Sequence, residues 1–169
     1  MKLLLQRNDV NPNLSGNHGR TPLFAASGLL FTEIVKLLLE RRDVNPNLPT
    51  RDGQTPLLHA AMCRAESVAR LLLGHKNINP DSLDINGRTP LLHAATWGAW
   101  EIAMLLLGLA DVNPNSRDSN GRTLLLYAAS SSAWGVVGPL LERADVNPNL
   151  TDKDGRTLLS FAAAWGRRV

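Results

Sequence analysis

Asn86-Gly-Arg-Thr-Pro-Leu-Leu-His-Ala-Ala-Thr-Trp-Gly-Ala-Trp-Glu-Ile-Ala-Met-Leu-Leu-Leu107, closed by Asp111-Val-Asn-Pro-Asn115, is the stretch on which the fold turns. Asn86-Gly87 signals a tight hairpin turn, because such turns need residues that tolerate positive φ. Thr89 is placed to cap a helix with its hydroxyl, and Pro90 suits the first helical position, where no amide donor is required. Leu91 to Trp97 then reads as one short helix ended by Gly98. Glu101 to Leu107 reads as a second, with Ile102, Leu105 and Leu106 at helical spacing.

The same unit recurs along the whole chain. Gly19, Gly53, Gly87, Gly121 and Gly155 each open a Gly-Arg/Gln-Thr-Pro/Leu-Leu run, 34 residues apart. A second landmark keeps the same step: Val10-Asn-Pro-Asn, Val44-Asn-Pro-Asn, Ile78-Asn-Pro-Asp, Val112-Asn-Pro-Asn and Val146-Asn-Pro-Asn. Two independent landmarks in one period predict stacked structural repeats.

The period and the Thr-Pro-Leu signature resemble the ankyrin repeat, and the resemblance covers essentially the whole chain. The Val-Asn-Pro-Asn and Gly-Arg-Thr-Pro-Leu variant is similar to arrays in large fungal multidomain proteins. The resemblance implies an all-α solenoid of stacked helix pairs joined by short β-hairpin loops. Its expected divisions are a partial repeat at 1–17, full repeats at 18–51, 52–85, 86–119 and 120–153, and a partial repeat at 154–169. Lys2-Leu-Leu-Leu matches Lys36-Leu-Leu-Leu one period later, so the chain is expected to begin inside a second helix. Solenoids normally close with polar capping repeats, and neither end carries one; the simplest reading is a fragment of a longer array.

Composition agrees. The 18 basic and 15 acidic residues give a formal charge of +3, a mixed surface that points strongly to no class of partner. The single cysteine, Cys63, excludes an internal disulfide framework and fits a reducing compartment, cytoplasm or nucleus. Met1-Lys-Leu-Leu-Leu is cut short by Gln6-Arg7 and does not resemble a signal peptide. No apolar run approaches the roughly 20 residues that a membrane helix needs, so no membrane partner is expected.

The copies differ in quality. In the first, His18 replaces the Asn or Asp before the hairpin glycine, and Leu30 stands where Gly98 stands in the third. The second copy has Arg64 at that glycine position. The fourth places Pro139 where Leu37, Leu71 and Leu105 sit, and proline inside a helix removes an amide bond at a cost of about 3 kcal/mol. With Gly135 and Gly138 beside it, this helix is expected to be bent, shortened or broken.

Candidates for chemistry are few. His59 and His93 share a column with Ala25, Tyr127 and Phe161. Equivalent positions of stacked repeats lie about 8–10 Å apart, too far to converge on one metal, so structural histidines are expected and no metal. Cys63 has only Arg64 and Glu66 nearby and no base. No phosphate loop or nucleophile elbow appears. The reading is therefore of a non-enzyme without cofactors. Arg20, Arg88, Arg122 and Arg156 form a basic column, but Asp84, Asp118 and Asp152 precede the last three by four positions; local ion pairs account for the column, and nucleic acid is not an expected partner.

What varies between copies is the hairpin tips and the ends of the first helices. In ankyrin arrays these places line the concave face that holds a partner. The resemblance thus implies protein–protein recognition through Arg51, Met62, Arg88, Thr96, Trp97, Arg117, Arg122, Lys153 and Trp165, with Trp97 as the aromatic anchor. The alternative is a structural spacer or regulatory arm of a larger protein. Apolar ends without caps also predict end-to-end self-association.

Overall fold

The computed structural model describes residue 7 and residues 9–166. Leu3, Leu4 and Leu5 of the expected first half-repeat lie outside the described residues. After a single 3-10 turn at Asn17–Gly19, helices come in pairs: α1 (Pro22–Gly28) with α2 (Thr32–Leu39), α3 (Pro56–Met62) with α4 (Glu66–Leu73), α5 (Pro90–Thr96) with α6 (Trp100–Leu107), and α7 (Leu124–Ser130) with α8 (Trp134–Leu141). A final helix, α9 (Leu158–Gly166), stacks on α7. There is no strand among the described residues. The chain is an all-α solenoid: first helices pack on first helices, α2 packs on α4, and α4 packs on α6.

Each first helix starts in the same way. Thr21, Thr55, Thr89, Thr123 and Thr157 accept, through Oγ1, the amide three residues on, at 3.2–3.3 Å. Pro22, Pro56 and Pro90 occupy the first turn, where the missing amide costs nothing. These helices end in a left-handed residue: Leu30, Arg64, Gly98 and Ser132, with φ of 59°, 55°, 65° and 62°. In the last three copies the next residue donates back into the helix, as in Ala99 N–H to Ala94 C=O at 2.8 Å, which is a Schellman closure. Of these four only the third has glycine there; a side chain in this conformation costs about 1–2 kcal/mol.

The core is a seam of leucines and alanines. Leu57, Leu58, Leu91, Leu92, Leu72 and Leu106 are wholly buried, and each such side chain contributes about 1.5–3 kcal/mol. Ala60, Ala94 and Ala128, also wholly buried, let successive first helices approach closely.

The hairpins are turns rather than strands. In each, an amide and a carbonyl four residues apart bond, as in Asp84 N–H to Arg88 C=O at 3.1 Å, and the glycine closes a second bond, Gly87 N–H to Asp84 C=O at 3.0 Å. Only Gly87 has positive φ; Asn86 does not. The turn is therefore a type I turn with a left-handed glycine behind it, not the two-residue mirror-image turn that Asn-Gly suggests.

The Asn-Pro-Asn loops form a ladder. Asn13 Nδ2 donates to the Asp43 carbonyl and Asn13 Oδ1 accepts from the Asn45 amide, at 2.6 and 2.8 Å. Asn47 bonds Asn77 and Asn79 in the same way, as Asn115 does Asp145 and Asn147. At the one remaining step the chain has Asp81.

Pro139 does not break its helix. α8 spans eight residues, as α2, α4 and α6 do. The residue that would have accepted the Pro139 amide is Gly135, and Pro139 is exposed on the outer side. The first turn tightens instead: Val136 bonds Ala133 at 2.9 Å while the Val137–Ala133 bond lengthens to 3.3 Å. The consequence appears between helices. Gly135, Gly138 and Pro139 offer little to pack against, and α6 and α8 lack the close contact that joins the earlier second helices. The step between copies is not uniform; it loosens between the third and the fourth.

Candidate recognition face

Successive hairpins are tied tip to tip by backbone bonds. Arg51 N–H donates to His18 C=O at 2.9 Å, Ile85 to Asp52 at 3.1 Å, and Lys153 to Asn120 at 2.9 Å. This puts the Arg51 and Lys153 side chains, both exposed, in one row. The C-terminal ends of α3 and α5 supply half-buried Met62 and exposed Thr96. Thr96 Oγ1 donates to Leu92 C=O at 2.8 Å, so its hydroxyl is already engaged. Trp97, at the C-terminus of α5, is 52 % exposed. The α9 helix carries Trp165, whose side chain lies outside the described residues.

The aspartates behind the row are buried and act mainly on backbone, which corrects the expectation of local ion pairs. Asp84 Oδ1 accepts the amides of Asn86 and Arg88 at 2.8 and 2.9 Å; Asp118 and Asp152 repeat this within their own hairpins. Only Arg156 pairs locally, its Nε 2.9 Å from Asp152 Oδ2. Arg122 reaches forward to the same Asp152 at 4.0 Å and lies over the Tyr127 ring. Arg117, exposed, is a clamp rather than a free charge: its guanidinium donates to the carbonyls of Gly121 and Thr151, joining two hairpins. Arg88 is half-buried, and its Nε has no partner.

The second oxygen of each aspartate explains the histidine column. His93 Nε2 lies 2.9 Å from Asp84 Oδ2, and Tyr127 OH donates to Asp118 Oδ2 at 2.8 Å. At Asp152 the column residue is Phe161, and Arg156 takes the oxygen and covers the ring. His59 has Thr50 in place of the aspartate; it lies flat on Phe24, centroids 4.1 Å apart, with Nδ1 2.9 Å from the Phe24 carbonyl. The i, i+9 spacing of Asp84–His93 and Asp118–Tyr127 was visible in sequence, though nothing in sequence said that the two would meet.

Burial lowers the pKa of His93 and outweighs the raising effect of Asp84. The imidazole is thus neutral at pH 7 and donates from Nε2, and its Nδ1 is buried without a partner. Burial would raise Asp84, but the amides of Arg88 and Asn86, with His93, together hold it below the usual range. Burial also pushes the Cys63 thiol up, away from the reactive thiolate. Among the described residues no His, Cys, Asp and Glu groups gather as a metal site would need, and no helix is long and apolar enough to cross a membrane.

A family model described as ankyrin repeats (3 copies) matches residues 1–84, 28–118 and 76–152. Among solved structures, EF0377, an ankyrin repeat protein, is similar at a TM-score of 0.89 and 24 % identity, over 99 % of this chain and 85 % of that one. No curated protein sequence matches. Ankyrin repeats are in general protein–protein interaction modules and are typically non-catalytic.

Proposed function

Because the chain belongs to the ankyrin-repeat family, we propose that it is a noncatalytic recognition module that binds another protein across its hairpin tips and first-helix ends, the concave side of such arrays. The observation that carries this reading is Trp97. A large aromatic half out in solvent at the end of a first helix, just after the small Ala94 and Ala95, is the residue type that anchors interfaces. Met62, Thr96, Arg51, Lys153 and Arg122 flank it as the rim.

The partner is read as protein, not nucleic acid. A phosphate backbone needs a continuous basic stripe, whereas Gln54 interrupts this column and Arg122 and Arg156 share Asp152. The reading as binder rather than enzyme rests on repetition, since the polar groups of the row serve to build hairpins. A single cysteine suits a reducing compartment. The exposed Leu29 and Phe31 at one end and Leu159 at the other suit head-to-tail association at high concentration.

The test takes a binder selected against the native array from a random 12-residue peptide library. Trp97→Ala should cost about 2 kcal/mol or more in binding if the ring is a central anchor. It should leave thermal stability nearly unchanged, because burying half a ring adds little to the core. Lost stability with unchanged affinity would return Trp97 to the framework and leave the spacer reading.

A further inference from the structure

Three of the four tip-to-tip junctions that the hairpins can make carry a backbone bond; the one between the third and fourth hairpins does not. At the bonded junctions, a Cβ placed on Gly19, Gly53 or Gly121 would meet the next hairpin's backbone at 3.0–3.2 Å, but one placed on Gly87 would meet no atom within 4 Å. The third and fourth copies therefore stand apart at the tips as well as at α6 and α8. The Ser119 amide, whose counterparts Arg51, Ile85 and Lys153 bond the preceding tip, makes no such bond.

Arg88 stands at the base of this gap. The Asp84 carboxylate beside it is saturated by the backbone amides of Asn86 and Arg88 and by His93 Nε2. Asp118 across the junction is saturated by Asn120, Arg122 and Tyr127. Arg122 and Arg156 find a carboxylate in Asp152, and Arg88 finds none. A buried guanidinium donor without an acceptor is costly, and bidentate recognition of a carboxylate is what an arginine fork does best. His93 Nδ1 is also buried without a partner, so the two do not bond each other. Along the row of tips on the other hairpins, exposed basic side chains outnumber acidic ones: Arg20, Arg51 and Lys153 against Asp52 and Asp154.

We propose that the open junction between the third and fourth hairpins is a carboxylate-binding notch, in which Arg88 and the Ser119 amide receive an Asp or Glu side chain from an acidic segment of the partner. This rests on the recognition-face reading above and specifies the partner's chemistry: an acidic segment with an apolar side chain placed to reach Trp97.

The experiment selects peptides from the random 12-residue library on the native array and measures each by fluorescence anisotropy against variants. Enriched sequences should share an Asp or Glu. Arg88→Met should weaken binding about tenfold or more, with Arg88→Lys between the two. Its melting temperature should not fall, since the side chain has no internal partner. Ser119→Pro, at a turn position that accepts proline, keeps the hairpin and removes the amide; it should weaken binding several-fold. Replacing the shared peptide carboxylate by its amide should reproduce the Arg88→Met loss and add nothing to it. Enriched sequences without a common carboxylate overturn the proposal, as does a preference for phosphorylated over acidic peptides. Sensitivity to Trp97→Ala with indifference to Arg88→Met overturns the notch and leaves the recognition face standing. Indifference to both overturns both.

Discussion

At the scale of single residues, the buried aspartates do more than the arginines that drew attention in the sequence. Asp84 closes its hairpin by taking two amides and then fixes the first helix through His93. In the next copy a tyrosine does the same work for Asp118. His93→Tyr should therefore keep the bond and the stability at pH 7. The sign of the pH effect follows from burial, which holds His93 below its unfolded value of about 6.5. As pH falls through that value the unfolded chain takes up the proton first, and stability is lost between about 6.5 and the lowered folded pKa. His59, also lowered by burial, adds a slope of the same sign. Thermal melts from pH 7 to 5 should then show a shallower decline for His93→Tyr than for the native chain; equal slopes would mean that His93 does not titrate on unfolding. Asp81 has the opposite sign. Where Asn13, Asn47 and Asn115 donate to the next loop's carbonyl, Asp81 presents a second acceptor, and its Oδ1 is buried without a partner. Burial raises its pKa, so the folded state is favoured below the unfolded pKa of about 3.9 and loses that advantage as pH rises through the folded value. Asp81→Asn completes the ladder and should add about 1–2 kcal/mol at pH 7 in urea unfolding, a gain that shrinks towards pH 4. An unchanged midpoint at pH 7 would mean that the ladder carries no net stability.

Among the elements, the second helices show how far local rules reach. Proline in α8 was expected to bend, shorten or break it, because the rule counts a lost amide bond and a ring clash. The helix keeps its eight residues while its first turn tightens to bond Ala133. Sequence also made Leu30 and Arg64 legible as faults at a glycine position; it did not say that the chain would keep the left-handed turn at both, as it does at Ser132 too. The cost of Gly135, Gly138 and Pro139 falls instead on the neighbour, α6, which loses packing. Pro139→Leu should thus restore an amide donor and a side chain that is half-buried at Leu71 and Leu105. Calorimetry should show a gain of up to about 3 kcal/mol. No gain would mean that the tightened first turn already absorbs the whole cost.

For the whole molecule, the repeat period told nearly everything about architecture, since two landmarks at one spacing leave little freedom for another fold. The recognition face was legible only as positions. Sequence placed Arg51, Arg88, Arg117, Arg122 and Lys153 in equivalent rows as if they were equal. Their difference comes from partners in adjoining copies: Arg117 clamps two hairpins, Arg122 leans on Asp152, and Arg88 has nothing. Contacts across a junction depend on how far apart two copies stand, and that distance is not written in either copy. Amide hydrogen exchange of the array with and without a selected acidic 12-residue peptide tests the account most directly. In the free array exchange should be slowest in α3 and α5, whose leucines are wholly buried, and faster in α9, where Leu159 is 78 % exposed. On adding peptide, protection should appear at the Asn86 and Ser119 hairpins and at the α5 C-terminus around Trp97, and not on α4, α6 or α8. Protection confined to the second helices, or spread evenly along the chain, would contradict it.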